Sequence, residues 1–303
     1  MKKSFYAACV VSAGILWGII SIFIRGLNGA GFTPIQVMAV RAVLSAPMAA
    51  VIIGIKNPLL FRIQLRDIWM FIGTGVISLT FFSVCYFKTI VSCGASVAVV
   101  LLYTSPIFII IFSAIFFREK ITFVKLIAIA MTMAGCVLVA GIVGSHTAQS
   151  VGSTASGASS LSAFDFIIGL CAGLGYALYS IFGRVALKKY DTMTVTLYTF
   201  VFASLFLIPI SKPADIVSKI TPEISLEFLG ISILCTLLPY FLYTYGLSGL
   251  ETGTAAILAT VEPLVGTLLG MFAWGESTSI GKTVGIALIL GSIIVVQTIH
   301  KKA

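Results

Sequence analysis

Charge is what this sequence has least of: Asp, Glu, Lys and Arg make up 10% of its 303 residues, and only 10 of them are acidic. An average soluble domain is about a quarter charged, so a soluble fold of this size is excluded. Histidine is nearly absent. His146 and His300 fall in a loop and at the chain end, so no metal site is expected. The six cysteines (Cys9, Cys85, Cys93, Cys136, Cys171 and Cys235) are isolated, with no CxxC or metal-ligand spacing, and read as small packing residues. A Walker loop, a catalytic triad, a haem signature and a paired-acid motif are all missing, which speaks against an ATP-driven pump and implies no cofactor.

What the chain has in abundance is apolar residues, 59% of the total. A run of about 20 of them crosses the hydrocarbon core as a helix. Ten such windows stand out: Phe5 to Ile24, Ile35 to Ile55, Ile68 to Phe87, Ala95 to Phe117, Leu126 to Ser145, Phe166 to Gly183, Thr192 to Ser211, Phe228 to Leu247, Thr254 to Trp274 and Thr283 to Ile299. The runs are continuous rather than alternating, which argues against a barrel. Lys2 and Lys3 before the first run resemble the start of a signal peptide, but bulky Ile22, Phe23 and Ile24 extend it beyond an h-region of about 7 to 15 residues. It reads as the first span. The net charge of +9 reflects orientation rather than nucleic-acid binding: with the N-terminus inside, 13 Lys and Arg residues lie on the cytoplasmic side and 6 outside. Both termini are therefore expected in the cytoplasm of an inner-membrane, multi-pass protein.

Gly144 to Ala163 carries no charge and is rich in Ser, Gly, Ala and Thr, the composition of a flexible linker. It divides the chain into residues 1–143, a linker at 144–164, and residues 165–303. The two halves are self-similar. Ala13, Gly14, Trp17, Ser21, Ile22, Phe23 and Arg25 match Ala172, Gly173, Tyr176, Ser180, Ile181, Phe182 and Arg184 at an offset of 159, and Pro106 and Glu119 match Pro263 and Glu276 at an offset of 157. Because five spans is an odd number, the second half must enter from the opposite side. The expected fold is an all-α integral membrane protein of ten transmembrane helices, arranged as two inverted five-helix repeats. Such halves can exchange conformations, which is the logic of a carrier.

These residues resemble the EamA-type transporters of the drug/metabolite transporter superfamily. The resemblance spans nearly the whole chain and rests on the duplicated five-helix unit, on Trp17-Gly18 followed by Pro34 and Arg41, and on the Pro-x12-Glu ends of both repeats. The position matching Arg41 in the second half is Phe200, so a role for that Arg is not duplicated. The resemblance implies a transporter, and export is implied by it alone.

Only two ionisable residues sit clearly inside the windows, Arg41 and Glu262. Each costs roughly 2.5 to 3.5 kcal/mol at a helix centre, so such residues face a bundle interior or a wet cavity. Glu262 lies eight residues past Thr254, about 12 Å along the helix and near the midplane. Pro263 follows it and frees a carbonyl one turn earlier. A carboxylate beside a free carbonyl suits an ammonium group or a proton, while a plain packing role remains the alternative. Arg41 reads either as a snorkelling residue or as an intramembrane partner of Glu262 or a substrate carboxylate.

Trp17 and Tyr176, with Ser21 and Ser180, lie on small, aromatic, hydroxylated helix faces that either pack or line a pocket. Tyr103, three residues before Pro106, and then Tyr243 are further pocket candidates; Tyr240 and Tyr245 are candidates for the interfacial belt. Pro106 and Pro263 are the helix-kink residues. Gly14 and Gly18, Gly169 and Gly173, Gly266 and Gly270, and Gly281 and Gly285 form GxxxG packing pairs.

The expected activity is secondary transport of a small metabolite, such as an amino acid or a related zwitterionic or cationic compound, by alternating access, with proton coupling left open. With Glu262 central and Arg41 the lone intramembrane base, sugar nucleotides and sugar phosphates fit poorly. The rival readings are a channel, an intramembrane enzyme, for which no second carboxylate is at hand, and a scaffold without translocation.

Overall fold

The computed structural model describes residues 2–140, 162–275 and 279–300. Glu276, His146 and residues 144–161 of the expected linker lie outside the described residues. Eight helices are long and apolar enough to span a bilayer: Lys3–Gly29, Pro34–Lys56, Leu65–Cys93, Ala95–Phe117, Ala163–Ala186, Thr192–Ile210, Pro222–Gly249 and Thr252–Ala273. Two shorter apolar helices, Phe123–Val139 and Ile280–Val296, bring the set to ten, and no strand occurs among the described residues. The protein is an all-α, multi-pass membrane protein, and its helices are numbered below as spans in chain order.

Local chemistry sets the ends of these helices. Thr33 starts the second span with a reciprocal capping box to Gln36, followed by Pro34, which satisfies orphan N–H groups at the first turn. Thr221 and Pro222 do the same for the eighth span, so that helix begins six residues before the apolar window and includes Glu227. The fourth span stops at Arg118 and the ninth at Gly275, both with left-handed backbone. These two residues are 157 apart, the offset that also relates the Pro-Glu motifs.

The outer surface is apolar, as a bilayer requires. Ile55, Phe123 and Phe272 are among the most exposed residues, each more than 70% accessible, whereas Ser45, Thr89, Thr199, Thr244 and Ser292 are buried. Buried hydroxyls are satisfied largely through a backbone carbonyl of their own helix, as for Thr89 to Cys85, or through one another, as for Thr132 and Ser292 at 2.9 Å.

Packing follows a regular scheme. The first span lies on the eighth and the third on the sixth; the second pairs with the seventh, the fourth with the ninth and the fifth with the tenth. Exchanging each span with the one five places along leaves this scheme unchanged. Glycines make the closest approaches: a Cβ on Gly14 would stand 2.9 Å from the Ala259 carbonyl oxygen, and one on Gly173 would stand 3.3 Å from the Leu102 carbonyl oxygen. Those carbonyls lie four residues before Pro263 and Pro106, where the missing proline N–H leaves them without a helical donor.

Candidate functional site

The centre of the bundle is irregular. The first span breaks at Ile19, the fourth after Leu102 and the ninth at Thr260, while the third and eighth contain wide-turn segments at Gly73–Thr80 and Ile233–Leu237. In each wide turn a threonine hydroxyl donates to the carbonyl five residues back, Thr80 to Gly75 and Thr236 to Ile231. Such turns are frequent at functional sites. In a bilayer, non-helical backbone is tolerated where it is buried in protein or lines a wet cavity.

A cavity of about 350 Å³ lies beside these breaks. Trp17, Ser21, Tyr86, Tyr103, Cys136, Glu262 and Pro263 line its walls, and Ser96, Ala140 and Lys282 lie at the ends of their spans toward its mouth. Glu262 is half-buried. The Tyr176 hydroxyl donates to its carboxylate at 3.5 Å, and Tyr103 lies on the same cavity wall. Next to the cavity, sharing Trp17 with it, lies a layer of aromatic side chains. Trp17 meets Tyr240 edge-on at 5.3 Å and Tyr243 at 5.5 Å, and Tyr176 meets Phe82 edge-on at 5.6 Å. Ser180 and Tyr243 share a hydrogen bond of 2.7 Å within that layer, and Tyr179 and Thr244 share one of 2.6 Å.

The structure thus brings Trp17, Ser21, Tyr103, Glu262 and Pro263 to one cavity, with Tyr176 touching it through Glu262. Ser180 and Tyr243 lie in the aromatic layer, and Pro106 lines a small void beside it. Arg41 stands apart. It is 7% exposed, donates from Nε to Thr236 at 2.6 Å and from its guanidinium to the Cys235 carbonyl at 2.8 Å, and so clasps the wide turn of the eighth span. No ion pair joins it to Glu262 among the described residues. Tyr86, Cys136 and Lys282 were missed from the sequence; for Tyr86 and Lys282 the offset of 157, which relates them to Tyr243 and Lys125, was an available signal.

Each end of the bundle is tied by polar contacts. At one end Glu119 accepts from the backbone N–H of Thr252 at 2.7 Å and of Gly253 at 3.2 Å, capping the ninth span. Buried Lys125 pairs there with Glu251 at 2.7 Å and donates to the Lys120 carbonyl, and Arg184 donates to the Leu247 carbonyl. Asp67 binds Lys189 at 2.9 Å and Tyr190 at 2.7 Å. Elsewhere Asp215, between the seventh and eighth spans, accepts from Lys219 at 2.8 Å and Gln36 at 2.7 Å. Those two bonds, with Lys219 first, hold the Asp215 carboxyl below the usual carboxylate range.

An all-helical bundle around a cavity lined by Glu262 and aromatic side chains narrows the comparison with known proteins. The sequence signature of the EamA-like transporter family matches residues 4–141 and again 164–298. The chain belongs to the EamA-like transporter family. An uncharacterized transporter of Archaeoglobus fulgidus is 26% identical, with 95% of this chain and 94% of that one covered. The uncharacterized transporter YwfM of Bacillus subtilis is 23% identical over the whole of this chain and 97% of its own. A crystal structure of a protein at 17% identity superposes with a TM-score of 0.76 over 99% of this chain and 98% of that one, a likeness of fold.

Proposed function

We propose that this EamA-like protein is a secondary carrier of a small metabolite bearing a cationic nitrogen, an amino acid or a close relative, which it exports across the cytoplasmic membrane by alternating access. The observation that carries this reading is the Glu262 carboxylate, held by Tyr176 beside Tyr103 on the wall of a cavity of about 350 Å³. A cavity of this size lies in the range of about 300 to 1,000 Å³ typical of small-ligand pockets. An ammonium group gains there from the carboxylate and from the rings of Trp17, Tyr86 and Tyr103; each cation–π contact is worth about 0.5 to 2 kcal/mol. Lys282 on the same lining favours a zwitterion over a simple amine, and a dianionic phosphate would meet Glu262. Trp17, Ser21, Tyr103 and Glu262 bind, Tyr176, Ser180 and Tyr243 form the layer that must part for passage, and Arg41 positions the eighth span.

The two halves, residues 1–143 and 165–303, are inverted repeats in this reading. Supporting it are the doubled family match, the exchange-invariant packing, and the placement of Phe164, at the start of the sixth span, against Lys88 near the end of the third. Tyr6, at the start of the first span, lies instead against Tyr245 and Gly249 at the end of the eighth. With both termini in the cytoplasm, the cavity opens outward. Proton coupling would run through Glu262.

The test is a screen of labelled amino acids and amines in proteoliposomes. Saturable uptake and counterflow of at least one zwitterion, lost in Glu262→Gln at equal protein level, is the expected result. A chain that moves substrates equally well with Gln at position 262 removes the carboxylate from the mechanism.

A further inference from the structure

On the outer surface of the bundle a groove of about 320 Å³ runs between the second, seventh and eighth spans. Ala49, Ile52 and Ile53 form one wall and Met193 and Thr196 another. Along the eighth span it extends from Ile233 to Phe241, a rise of about 12 Å at 1.5 Å per residue. One leaflet takes about half of a hydrocarbon core of about 30 Å, so the groove is about as long as one leaflet is deep. Its position along the helices agrees. Ile53 stands one turn before Lys56, the last residue of the second span, and Met193 is the second residue of the seventh. The groove therefore starts at that end of the bundle and stops near the middle of the eighth span.

The walls offer nothing to a polar cargo. Among the described lining residues the one hydroxyl is that of Thr196, which donates to the Thr192 carbonyl of its own helix at 2.9 Å. Apolar walls without polar partners do not hold water, and Ile52, Ile233 and Leu238 are exposed on the outer surface, so hydrocarbon fills the space. Ile233 and Leu237 are the ends of the wide turn that Arg41 clasps from within through Thr236 and the Cys235 carbonyl. The turn is thus fastened on one side and faces the groove on the other.

At the mouth of the groove the chain folds back on the seventh span. Pro58–Phe61 makes a short 3-10 turn. Thr194 and Tyr198 donate to its Leu60 and Phe61 carbonyls at 2.8 and 2.7 Å, and Leu60 and Phe61 pack beside Ala49 and Ile53. Lys56 and Arg62, both exposed, flank this turn. Asp191, two residues before Met193, is engaged in capping the seventh span through the Met193 N–H at 2.8 Å, and Asp67 is held by Lys189 and Tyr190. Basic residues next to a span end attract anionic lipid headgroups. We propose that this groove binds one anionic phospholipid, with an acyl chain along the wide turn and the phosphate at Lys56 and Arg62. Charge favours this occupant over a second copy of the chain, because a two-fold pair would bring one basic rim against another. The bound chain covers the outer side of the wide turn and steadies the eighth span.

The test is native mass spectrometry of the full chain, stripped of lipid in detergent and offered equal amounts of phosphatidylglycerol and phosphatidylcholine with the same acyl chains. Wild type should retain one phosphatidylglycerol, and Lys56→Gln and Arg62→Gln should each cut that preference about fivefold, the effect of one basic residue near the headgroups. Ile52→Trp and Leu238→Trp, which fill the groove from two different spans, should abolish retention. Ile55→Trp, on an exposed face of the second span outside the groove, should leave it intact. Added phosphatidylglycerol should raise the melting temperature of wild type and not of Ile52→Trp. Equal retention of the two lipids, or retention undiminished in both groove variants, overturns the proposal. So does a dimer that Ile52→Trp dissociates with no lipid adduct in wild type, which would give the groove to a second copy. If one groove variant misfolds, the other and the two charge variants decide. The measurement reads lipid rather than transport, so its failure leaves the carrier reading standing.

Discussion

The sharpest quantitative expectation concerns two glycines that a motif search treats alike. Gly18 and Gly266 each belong to a GxxxG pair and face one another across the first and ninth spans. Their surroundings differ. A Cβ on Gly18 would stand 2.5 Å from Cβ of Val265 and 2.8 Å from the Glu262 carbonyl oxygen, whereas one on Gly266 would meet only the Gly18 carbonyl oxygen at 3.7 Å. Carbon atoms in contact sit about 3.5 to 4.0 Å apart, so Gly18→Ala must drive the two spans about 1 Å apart at the level of Glu262. Overpacking of this kind costs about 1 to 3 kcal/mol, against a helix-propensity gain of about 1 kcal/mol for Gly to Ala. The clash wins, and Gly18→Ala should be less stable than wild type by up to about 2 kcal/mol on those two figures. Gly266→Ala should be neutral or slightly stabilising, and Gly54→Ala, where nothing lies within 4 Å, serves as the open control. Thermal unfolding in detergent, with transport measured in parallel, checks the set. A Gly18→Ala protein that melts at or above wild type, or a Gly266→Ala protein that melts as low as Gly18→Ala, refutes the packing argument.

Other expectations follow from the same geometry. Tyr176→Phe keeps the ring but removes the hydroxyl that contacts Glu262; a hydrogen bond worth about 0.5 to 1.5 kcal/mol translates into a KM raised about two- to tenfold, and an unchanged KM would show that the hydroxyl does not shape the site. Arg41→Lys keeps the charge but not the forked reach to Thr236 and the Cys235 carbonyl, so its melting temperature should fall with KM unaltered; the opposite split would place Arg41 on the cargo. Cys136, on the cavity lining, should be the thiol whose labelling a bound substrate slows most. Asp215→Asn probes pH: because the folded carboxyl is depressed by Lys219 and Gln36, its contribution is full above the unfolded value of about 3.9 and fades as pH falls through the lower folded value. The stability gap between wild type and Asp215→Asn should therefore be flat from neutral pH down to about pH 5 and shrink below about pH 4; a gap that widens on acidification contradicts the assignment.

The membrane class and the span count were readable because bilayer insertion depends on composition over about 20 residues, a property of the chain alone. Where windows and helices differ, polar caps account for it: Thr221 and Pro222 extend the eighth span over Glu223 and Glu227, residues that hydropathy assigns to a loop. Glu262 was readable for the same reason, since a lone carboxylate in an apolar run is costly wherever the chain places it. Its neighbours were only partly so. Trp17 and Tyr103 could be picked by helical spacing from Ser21 and Pro106, but Tyr86 and Lys282 carry no local signal and reach the cavity only because the third and tenth spans pack beside it.

Arg41 shows where hydropathy reasoning stops. Its cost in lipid is the same whether it snorkels, meets Glu262 or clasps another helix, so sequence could not choose among them. The decision lies with the wide turn at Ile233–Leu237, which shifts the backbone hydrogen-bond pattern and offers Thr236 and the Cys235 carbonyl to a guanidinium 195 and 194 residues away in the chain. Phe200, at the position matching Arg41 in the second half, instead meets Tyr240 edge-on at 5.3 Å. One position therefore clasps a wide turn with charge, while its counterpart packs a ring against a helix of its own half. In the carrier reading, a duplicated frame whose two copies are fastened by different chemistry need not rest midway between its two states.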